Sequence, residues 1–526
     1  MAKNPHLVPN LLPRIAFAIV ITLATVLTTQ AQDSQRVDRV RELEFETDSR
    51  PNGSIELQTG LVRSRFRQFE SKEYRSPSQF LQAERAVFGW KEPDTELRLI
   101  SDWQAPSSRH ITYQQTFKGL PVLDHLVRVN MDRKGRVSMV MNAYSPISMS
   151  EASFNSVPVI SAAAAAELAI DQMAAGAGRH TDPKLGIIAP DAPLLVWEVI
   201  VWPENEPAEY RVQVDAINGK IARAINQAIS LGDKQLSTQK GKLVKFPVHP
   251  TERSTFRSFG DVDADLISTA RKFEFVETTS LARDYPSESR ADGVGLVYDP
   301  SPLHLIGVNY GAPYVDADNA TNSALDAART SVTLKGISLN TANRYVLKGP
   351  YVSITGLNQS GTEVYVVPAE ASPDGFQYTR AQSGFEAVNA YYHVDKSQRY
   401  VQSLGIQGRL ASPFSVNPQG LTRDDSFFFP TSNMILFGTG GVDDAEDPTV
   451  VWHEYAHALL EAASPGLLST QEGSAFHEGW ADYWAASYLR SQVESGLSKR
   501  TDWRTLFAWD SGDGTIWDGR TLDHTG

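Results

Sequence analysis

The alternation of hydrophobic and polar positions first becomes regular near residue 76. Residues 78–88 (SQFLQAERAVF) carry apolar side chains at helical spacing, and Ser78 is the predicted N-cap. Strand-like segments with alternating apolar positions follow at residues 111–117, 127–131 and 136–141. The pattern therefore predicts a small α+β module over residues 76–150.

A second small module is predicted over residues 157–226. Ser161 can cap an Ala-rich helix at 162–174, and Asn218–Gly219 is a predicted hairpin turn. The predicted strands of this module are 194–202, 210–214 and 220–224. Residues 235–380 are rich in Gly, Pro, Ser and Thr with short strand-like runs, which indicates a β-rich region. The predicted fold class is multidomain α+β.

The N-terminus has the pattern of an export signal. Lys3 and Arg14 precede residues 15–28, an uncharged stretch that is short for a membrane span of ~20 residues. A small-x-small site predicts cleavage after Ala31, which leaves a polar segment at 32–75. An uncleaved signal-anchor is the alternative. No later segment is apolar enough to span a membrane, so the expected location is extracellular.

Composition restricts the chemistry. The 526 residues carry a formal net charge of −13 and no basic run, which argues against a nucleic-acid partner. Cysteine is absent, so disulfides, thiolate metal sites and a cysteine nucleophile are excluded. Any bound metal must be held by carboxylates and by some of the 11 histidines.

The strongest chemical pattern is VVWHEYAHALL at residues 450–460. On a helix, His453 and His457 lie on one face and can bind one ion, with Glu454 beside them. Asp447 is the predicted N-cap of this helix. The alternative is a helix that carries two surface histidines by chance.

A third ligand is expected on the following helix, predicted over residues 471–490. Glu478 and Asp482 are four residues apart, so one carboxylate can bind the metal while the other holds a ligand imidazole. Glu472 and His477 are rival third ligands. Two His and one Glu form the ligand set of a catalytic zinc hydrolase, in which Glu454 would activate a zinc-bound water.

Three segments resemble a known family. Tyr113–Val122 is similar to the propeptide domain of the fungalysins and thermolysins, and Tyr210–Lys220 resembles the small domain that follows it. His477–Tyr483 resembles the Glu-Gly-Trp-Ser-Asp-Phe segment of fungalysins, whose Glu is the third ligand and matches Glu478. The resemblance implies a secreted zinc metalloendopeptidase precursor, with its propeptide as intramolecular chaperone and inhibitor. Without the C-terminal pattern, two small binding modules would be the alternative.

The region before the HExxH helix suggests how substrate binds. Residues 424–438 resemble the edge strand over which thermolysin-like enzymes lay an extended peptide, with Asp425, Ser426 and Phe427 as predicted substrate contacts. An ordinary amphipathic strand is the alternative. The acidic loop 440–447 either binds calcium, an additional expected cofactor, or complements the helix dipole.

An incomplete zinc metallopeptidase catalytic domain is predicted over residues 235–526, because the resemblance covers only part of such a domain. Fungalysins continue with a helical lobe that carries a catalytic His, and His524 is the sole histidine after Asp482. The predicted partners are protein or peptide substrates and the chain's own propeptide. The alternative function is a catalytically incompetent zinc-binding or propeptide-type inhibitor protein. His393 is expected to be a packed histidine rather than a ligand.

Overall fold

The computed structural model describes residues 65–68, 76–188, 192–231, 289–406, 413–467, 471–513 and 519–522. The predicted export signal and His524 lie outside these residues.

The first region is built around a long β-hairpin. Its elements are β1 (Arg65–Gln68), α1 (Pro77–Ala83), α2 (Arg85–Phe88), α3 (Pro93–Glu96), β2 (Leu97–Gln104), β3 (Ser108–Phe117), β4 (Leu120–Asp132) and β5 (Val137–Asn142). The predicted helix over 78–88 is divided at Glu84, and its N-cap is Ser76 rather than Ser78. Pro77 explains the earlier start, because its fixed φ and missing N–H suit the first helical position.

The second region packs one helix on an antiparallel sheet. Its elements are α4 (Ala162–Ala174), β6 (Gly178–His180), β7 (Lys184–Ile188), β8 (Leu194–Pro203), β9 (Tyr210–Asp215) and β10 (Ile221–Asn226). The predicted cap of α4 is confirmed, since Ser161 Oγ accepts a hydrogen bond from the Ala164 N–H at 3.2 Å. A single parallel pair, Val122 with Ile187, joins β4 to β7 and makes one ten-stranded sheet.

The third region begins with short strands and leads into a long buried helix. Its first elements are β11 (Ile229–Ser230), β12 (Arg290–Val297), α5 (Pro302–Ile306), α6 (Ser323–Ala327), β13 (Thr330–Leu339), β14 (Tyr345–Val346), β15 (Val352–Ile354), β16 (Ala369–Glu370) and α7 (Phe385–Ser403). Strands β12, β13, β14 and β16 form a four-stranded sheet in that order.

The chain then forms the sheet edge and the helix pair that carry the candidate site residues. The elements are β17 (Phe414–Leu421), β18 (Phe427–Phe429), β19 (Met434–Gly438), α8 (Pro448–Ala463), α9 (Gln471–Glu494), β20 (Thr505–Leu506) and β21 (Arg520–Thr521). A five-stranded sheet has the order β11-β18-β19-β17-β15. Strand β18 would therefore be its outer strand if β11 were absent.

The described residues combine 27% helix with 33% strand in several sheets, and the predicted multidomain α+β fold is confirmed. Separate hydrophobic clusters fill the first region, the second region and the part around α7, α8 and α9. The domain boundaries drawn from sequence stay predictions. No helix in the described part of the chain is long and apolar enough to cross a membrane.

Candidate metal centre

Helix α8 holds two histidines on one buried face. It begins as predicted, with the Asp447 carboxylate accepting a hydrogen bond from the Thr449 N–H at 2.8 Å and Pro448 in the first turn. One turn apart, His453 and His457 bring their Nε2 atoms within 3.2 Å of each other, and both side chains are fully buried. The helix thus presents two imidazole nitrogens to a common point.

Helix α9 packs against α8 and brings a carboxylate to the same point. Trp452 on α8 stacks on Tyr488 of α9 with ring centroids 4.6 Å apart. The Glu478 oxygens lie 3.4 Å from His453 Nε2 and 3.5 Å from His457 Nε2. All three side chains offer one ligand atom within 4.8 Å of the others. They can therefore contact a single ion together.

Asp482 lies on the far side of the first imidazole. Its Oδ1 is 3.0 Å from His453 Nδ1. Asp482 itself lies one helical turn after Glu478 on α9. A proton on Nδ1 is favoured by this carboxylate, and Nε2 is then left with its lone pair toward the other ligands. This is the geometry expected of a carboxylate that orients a metal-binding histidine.

The charges of the cluster follow from burial and from mutual contacts. Burial alone would lower the pKa of His453, but Asp482 and Glu478 raise this pKa to about 9. Burial would raise the pKa of Glu478, yet the two histidines lower it to about 2. Burial holds the pKa of His457 well below its usual value. Glu478 is thus ionised and His457 neutral, which are the forms that bind metal, whereas His453 must lose a proton when a metal binds.

Glu454 is a buried carboxyl group beside the two histidines. It is 0% exposed, and neither of its oxygens has a hydrogen-bond partner among the described residues. Burial raises the pKa of Glu454 well above its usual value. An unsatisfied buried carboxyl group is costly and is characteristic of sites completed by a water or a ligand.

The other histidines and carboxylates considered from sequence have different surroundings. His477 is fully buried but lies outside the group of three. The side chain of Glu472 is not among those that the structure describes. His393 is a packed histidine, as predicted, with Nε2 2.8 Å from the Tyr298 carbonyl oxygen and Nδ1 accepting from Trp452 Nε1 at 3.2 Å.

Arg520 joins the cluster from β21, and sequence reasoning assigned it no role. Its Nη1 donates to Glu478 at 3.0 Å and to Asp482 at 2.8 Å. Its Nη2 donates to the carbonyl oxygen of Leu231. The only sequence signal was weak, because Arg520 is the sole Lys or Arg after residue 504.

The predicted substrate contacts lie along the chain's own segment 229–231. Strand β11 pairs antiparallel with β18, and the Leu231 N–H donates to the Ser426 carbonyl oxygen at 3.0 Å. Ser230 Oγ donates to Asp425 Oδ1 at 2.9 Å and is opposite Phe427 in the ladder. The contact between Leu231 and Arg520 then places the end of this segment beside the three candidate ligands.

The acidic loop 440–447 does not form one group of four carboxylates. Three of its carboxylates have partners outside the loop. Asp447 accepts a hydrogen bond from the Thr449 N–H, Glu446 pairs with Arg380, and Asp443 accepts from the side-chain amide of Asn319. Asp444 alone belongs to a different acidic group with Asp424 and Asp510. The alternative interpretation, in which the loop complements the dipole of helix α8, accounts for the Asp447 cap.

Comparison with known proteins identifies one part of the chain. Residues 108–144 match the family model described as the fungalysin/thermolysin propeptide motif, and they include the predicted segment Tyr113–Val122. The chain therefore carries a propeptide motif of that peptidase family, and this supports a latent peptidase precursor. The resemblance of residues 210–220 and of 477–483 stays a prediction.

Likenesses to solved structures are distant. The C-terminal domain of Bacillus megaterium YpeB is 16% identical, with 31% of this chain and 70% of that chain covered and a TM-score of 0.19. A protein of Clostridium difficile 630, described as a putative lipoprotein, is 10% identical, with 30% and 98% covered and a TM-score of 0.13. Scores this low support no conclusion about fold or function. No curated protein matches the chain.

Proposed function

We propose that this chain is the precursor of a secreted zinc-dependent metalloendopeptidase that its own propeptide keeps latent. The observation that carries the proposal is the buried group of His453, His457 and Glu478, with the unsatisfied carboxyl group of Glu454 next to it. Two imidazole nitrogens and one carboxylate oxygen suit zinc, and they leave a coordination position for water or substrate.

The chain's own residues would divide the chemistry as follows. When bound, zinc would supply a water of low pKa and polarise the scissile carbonyl. Glu454 would accept the proton of that water and pass it to the leaving amine. Asp482 would keep the imidazole of His453 in its binding tautomer, and Arg520 would hold the carboxylates of Glu478 and Asp482 in place.

The substrate class follows from the edge of the five-stranded sheet. An extended peptide can add to an exposed edge strand through main-chain hydrogen bonds, and β18 is such a strand when residues 229–231 leave. Protein or peptide substrates would therefore lie along Asp425, Ser426 and Phe427.

Latency would follow because the chain's own residues 229–231 occupy the same edge of the five-stranded sheet. Residues 229–231 already make the hydrogen bonds with Ser426 and Asp425 that an incoming peptide would need. Substrate would have to displace this segment, whose carbonyl at Leu231 is also held by Arg520. The proposed substrate edge would thus be covered by the chain segment that directly follows the second small module.

Contacts farther from the cleft hold the N-terminal regions in place. Arg128 donates to Ser464 Oγ at 2.8 Å and to the Pro465 carbonyl oxygen at 2.6 Å, at the end of α8. The buried carboxylate of Glu209 accepts from the backbone N–H groups of Thr431 at 2.9 Å and Ser432 at 3.3 Å, in the turn between β18 and β19. These contacts explain how a propeptide would keep residues 229–231 against β18.

Zinc content and peptide hydrolysis, measured on matched variants, test the proposal. The wild-type chain, Glu454→Gln and the exposed control Glu494→Gln are expected to hold one zinc each by elemental analysis. After limited trypsin digestion, wild type and Glu494→Gln should cleave casein and a quenched fluorescent peptide. A zinc chelator should abolish this activity. Glu454→Gln should be at least 10²-fold slower, because the proton acceptor is lost.

Each outcome separates the candidate functions. Near-normal hydrolysis by Glu454→Gln would refute the role of Glu454. Zinc binding without hydrolysis, in undigested and digested wild type alike, would favour the alternative of a catalytically incompetent zinc-binding or propeptide-type inhibitor protein. Activity of the undigested chain equal to that after digestion would refute latency.

A further inference from the structure

Three aspartates form a second acidic group, apart from the three candidate zinc ligands. Asp424, Asp444 and Asp510 each offer a carboxylate oxygen within 4.8 Å of the other two. They come from different segments: the loop before β18, the 3₁₀ turn before α8, and the 3₁₀ turn at Asp510–Asp513. Their meeting is therefore a product of the tertiary fold rather than of a local acidic run.

In the described part of the chain, three of the four buried carboxylate oxygens of Asp444 and Asp510 lack a donor. Asp444 is fully buried and Asp510 is 2% exposed. Ser426 Oγ and the Gly438 N–H donate to Oδ2 of Asp444. Among the described residues, however, no group other than the two aspartates themselves is placed to donate to Oδ1 of Asp444 or to either carboxylate oxygen of Asp510. Burial raises the pKa of both groups well above the usual value. Ionised carboxylates in such surroundings need a compensating positive charge.

The backbone fixes Asp510 in this position. Asp447 Oδ2 accepts hydrogen bonds from the Trp509 N–H at 3.0 Å and from the Asp510 N–H at 3.2 Å. Oδ1 of the same aspartate caps α8. The main chain of Asp510 is thus tied to the start of α8, which leaves its carboxylate to face Asp444.

We propose that Asp424, Asp444 and Asp510 bind one calcium ion. The donor set consists of oxygen alone, which suits a hard cation rather than zinc. Calcium binds oxygen at about 2.3–2.6 Å, so ligand oxygens around one ion lie at most about 5 Å apart. The separations in this group fit that limit. Magnesium demands shorter bonds of about 2.0–2.1 Å and a near-ideal octahedron.

The ion would connect the parts of the candidate cleft. Asp424 precedes the predicted substrate contact Asp425, Asp444 precedes α8, and Asp510 lies in the segment that leads to Arg520. Calcium would replace the missing donors and hold these three segments together. The proposal does not depend on peptidase activity, because it concerns a separate set of ligands.

Terbium luminescence tests the site directly. Terbium(III) binds at calcium sites and is sensitised by a nearby indole, and Trp509 directly precedes Asp510. The zinc-loaded Glu454→Gln chain is used, so that self-digestion cannot interfere. One equivalent of terbium is expected to give tryptophan-sensitised emission that calcium abolishes and equimolar magnesium leaves unchanged. Calcium at one hundred times its Kd should also raise the unfolding midpoint by about 5 °C.

Variants assign the ion to these residues. Asp510→Asn and Asp424→Asn, each made in the Glu454→Gln chain, are expected to weaken calcium binding at least tenfold. The exposed control Asp374→Asn in the same chain should not change it. Asp424 is less buried than Asp510, so Asp424→Asn still tests the site if Asp510→Asn fails to fold.

The rival interpretation is a proton shared between Asp444 and Asp510. It predicts no calcium-displaceable terbium emission, and a Glu454→Gln chain, with all three aspartates present, that is as stable with calcium as without it. That result would overturn the proposal, as would calcium binding that both aspartate variants retain or equal competition by magnesium.

Discussion

Replacement of Asp482 by Asn tests whether this carboxylate orients a metal-binding histidine. In the structure, Asp482 Oδ1 is 3.0 Å from His453 Nδ1 and accepts from Arg520 at 2.8 Å. Asn keeps the shape of the side chain but removes its negative charge. The imidazole of His453 then loses the group that favours a proton on Nδ1 and a lone pair on Nε2.

The expected magnitude follows from the position of the carboxylate behind the ligand. Loss of such a partner typically weakens metal affinity 10- to 100-fold, which corresponds to about 1.4–2.7 kcal/mol. The upper part of this range is expected for Asp482→Asn, because Arg520 also loses one of its two carboxylate partners. The positive charge of Arg520 would then be less well compensated next to Glu478.

Zinc affinity is measured by competition with a chromophoric chelator at constant pH. The matched control is Asp124→Asn, since the side chain of Asp124 has similar exposure (15% against 17%) and also pairs with arginine, but it is far along the chain from the histidines. Asp124→Asn should leave the zinc Kd within twofold of wild type. A zinc Kd for Asp482→Asn that is also within twofold of wild type would refute the orienting role.

Two further predictions concern the N-terminal regions and the acidic group. Glu209→Ala should lower the free energy of unfolding in urea by about 1–3 kcal/mol, because the buried indole N–H of Trp202 and the partly buried N–H groups of Thr431 and Ser432 lose their acceptor. An unchanged unfolding midpoint would contradict this. The raised pKa values of Asp444 and Asp510 mean that, without calcium, the fold binds these protons more tightly than the unfolded chain. Their contribution to stability is then lost as pH rises, whereas calcium competes with the protons. The rise in melting temperature on calcium addition should therefore be larger at pH 8 than at pH 5, and equal rises would contradict the assignment.

Local sequence was sufficient for the helices that carry the candidate ligands. The Asp447 cap and the spacing of His453 and His457 depend on residues within one or two helical turns, and the structure has both as predicted. The choice of Glu478 over His477 used the same logic of helical faces, and Glu478 is the one that lies with the two histidines. Patterns with short periods can be seen without knowledge of the fold.

Contacts between distant segments were not predictable in the same way. Arg520 and Leu231 meet although they are 289 positions apart in the sequence, and no periodicity links them. Asp424, Asp444 and Asp510 meet because the turn before α8 and the turn at Asp510 share the Asp447 carboxylate. The misplaced cap at Ser78 is a smaller error of another kind, since Pro77 was a signal that the helix starts two residues earlier.

The contacts of Arg520 connect latency to the candidate metal centre. One end of its guanidinium group is held by Glu478 and Asp482, while the other donates to the Leu231 carbonyl oxygen. A buried donor that loses its acceptor is costly. When residues 229–231 leave β18, Nη2 of Arg520 therefore needs a new acceptor beside the candidate ligands. An incoming peptide could supply this acceptor, because its main-chain carbonyl oxygen is chemically equivalent to that of Leu231. Residues 229–231 would thus occupy the proposed substrate edge and also maintain the orientation of the arginine that a substrate would need.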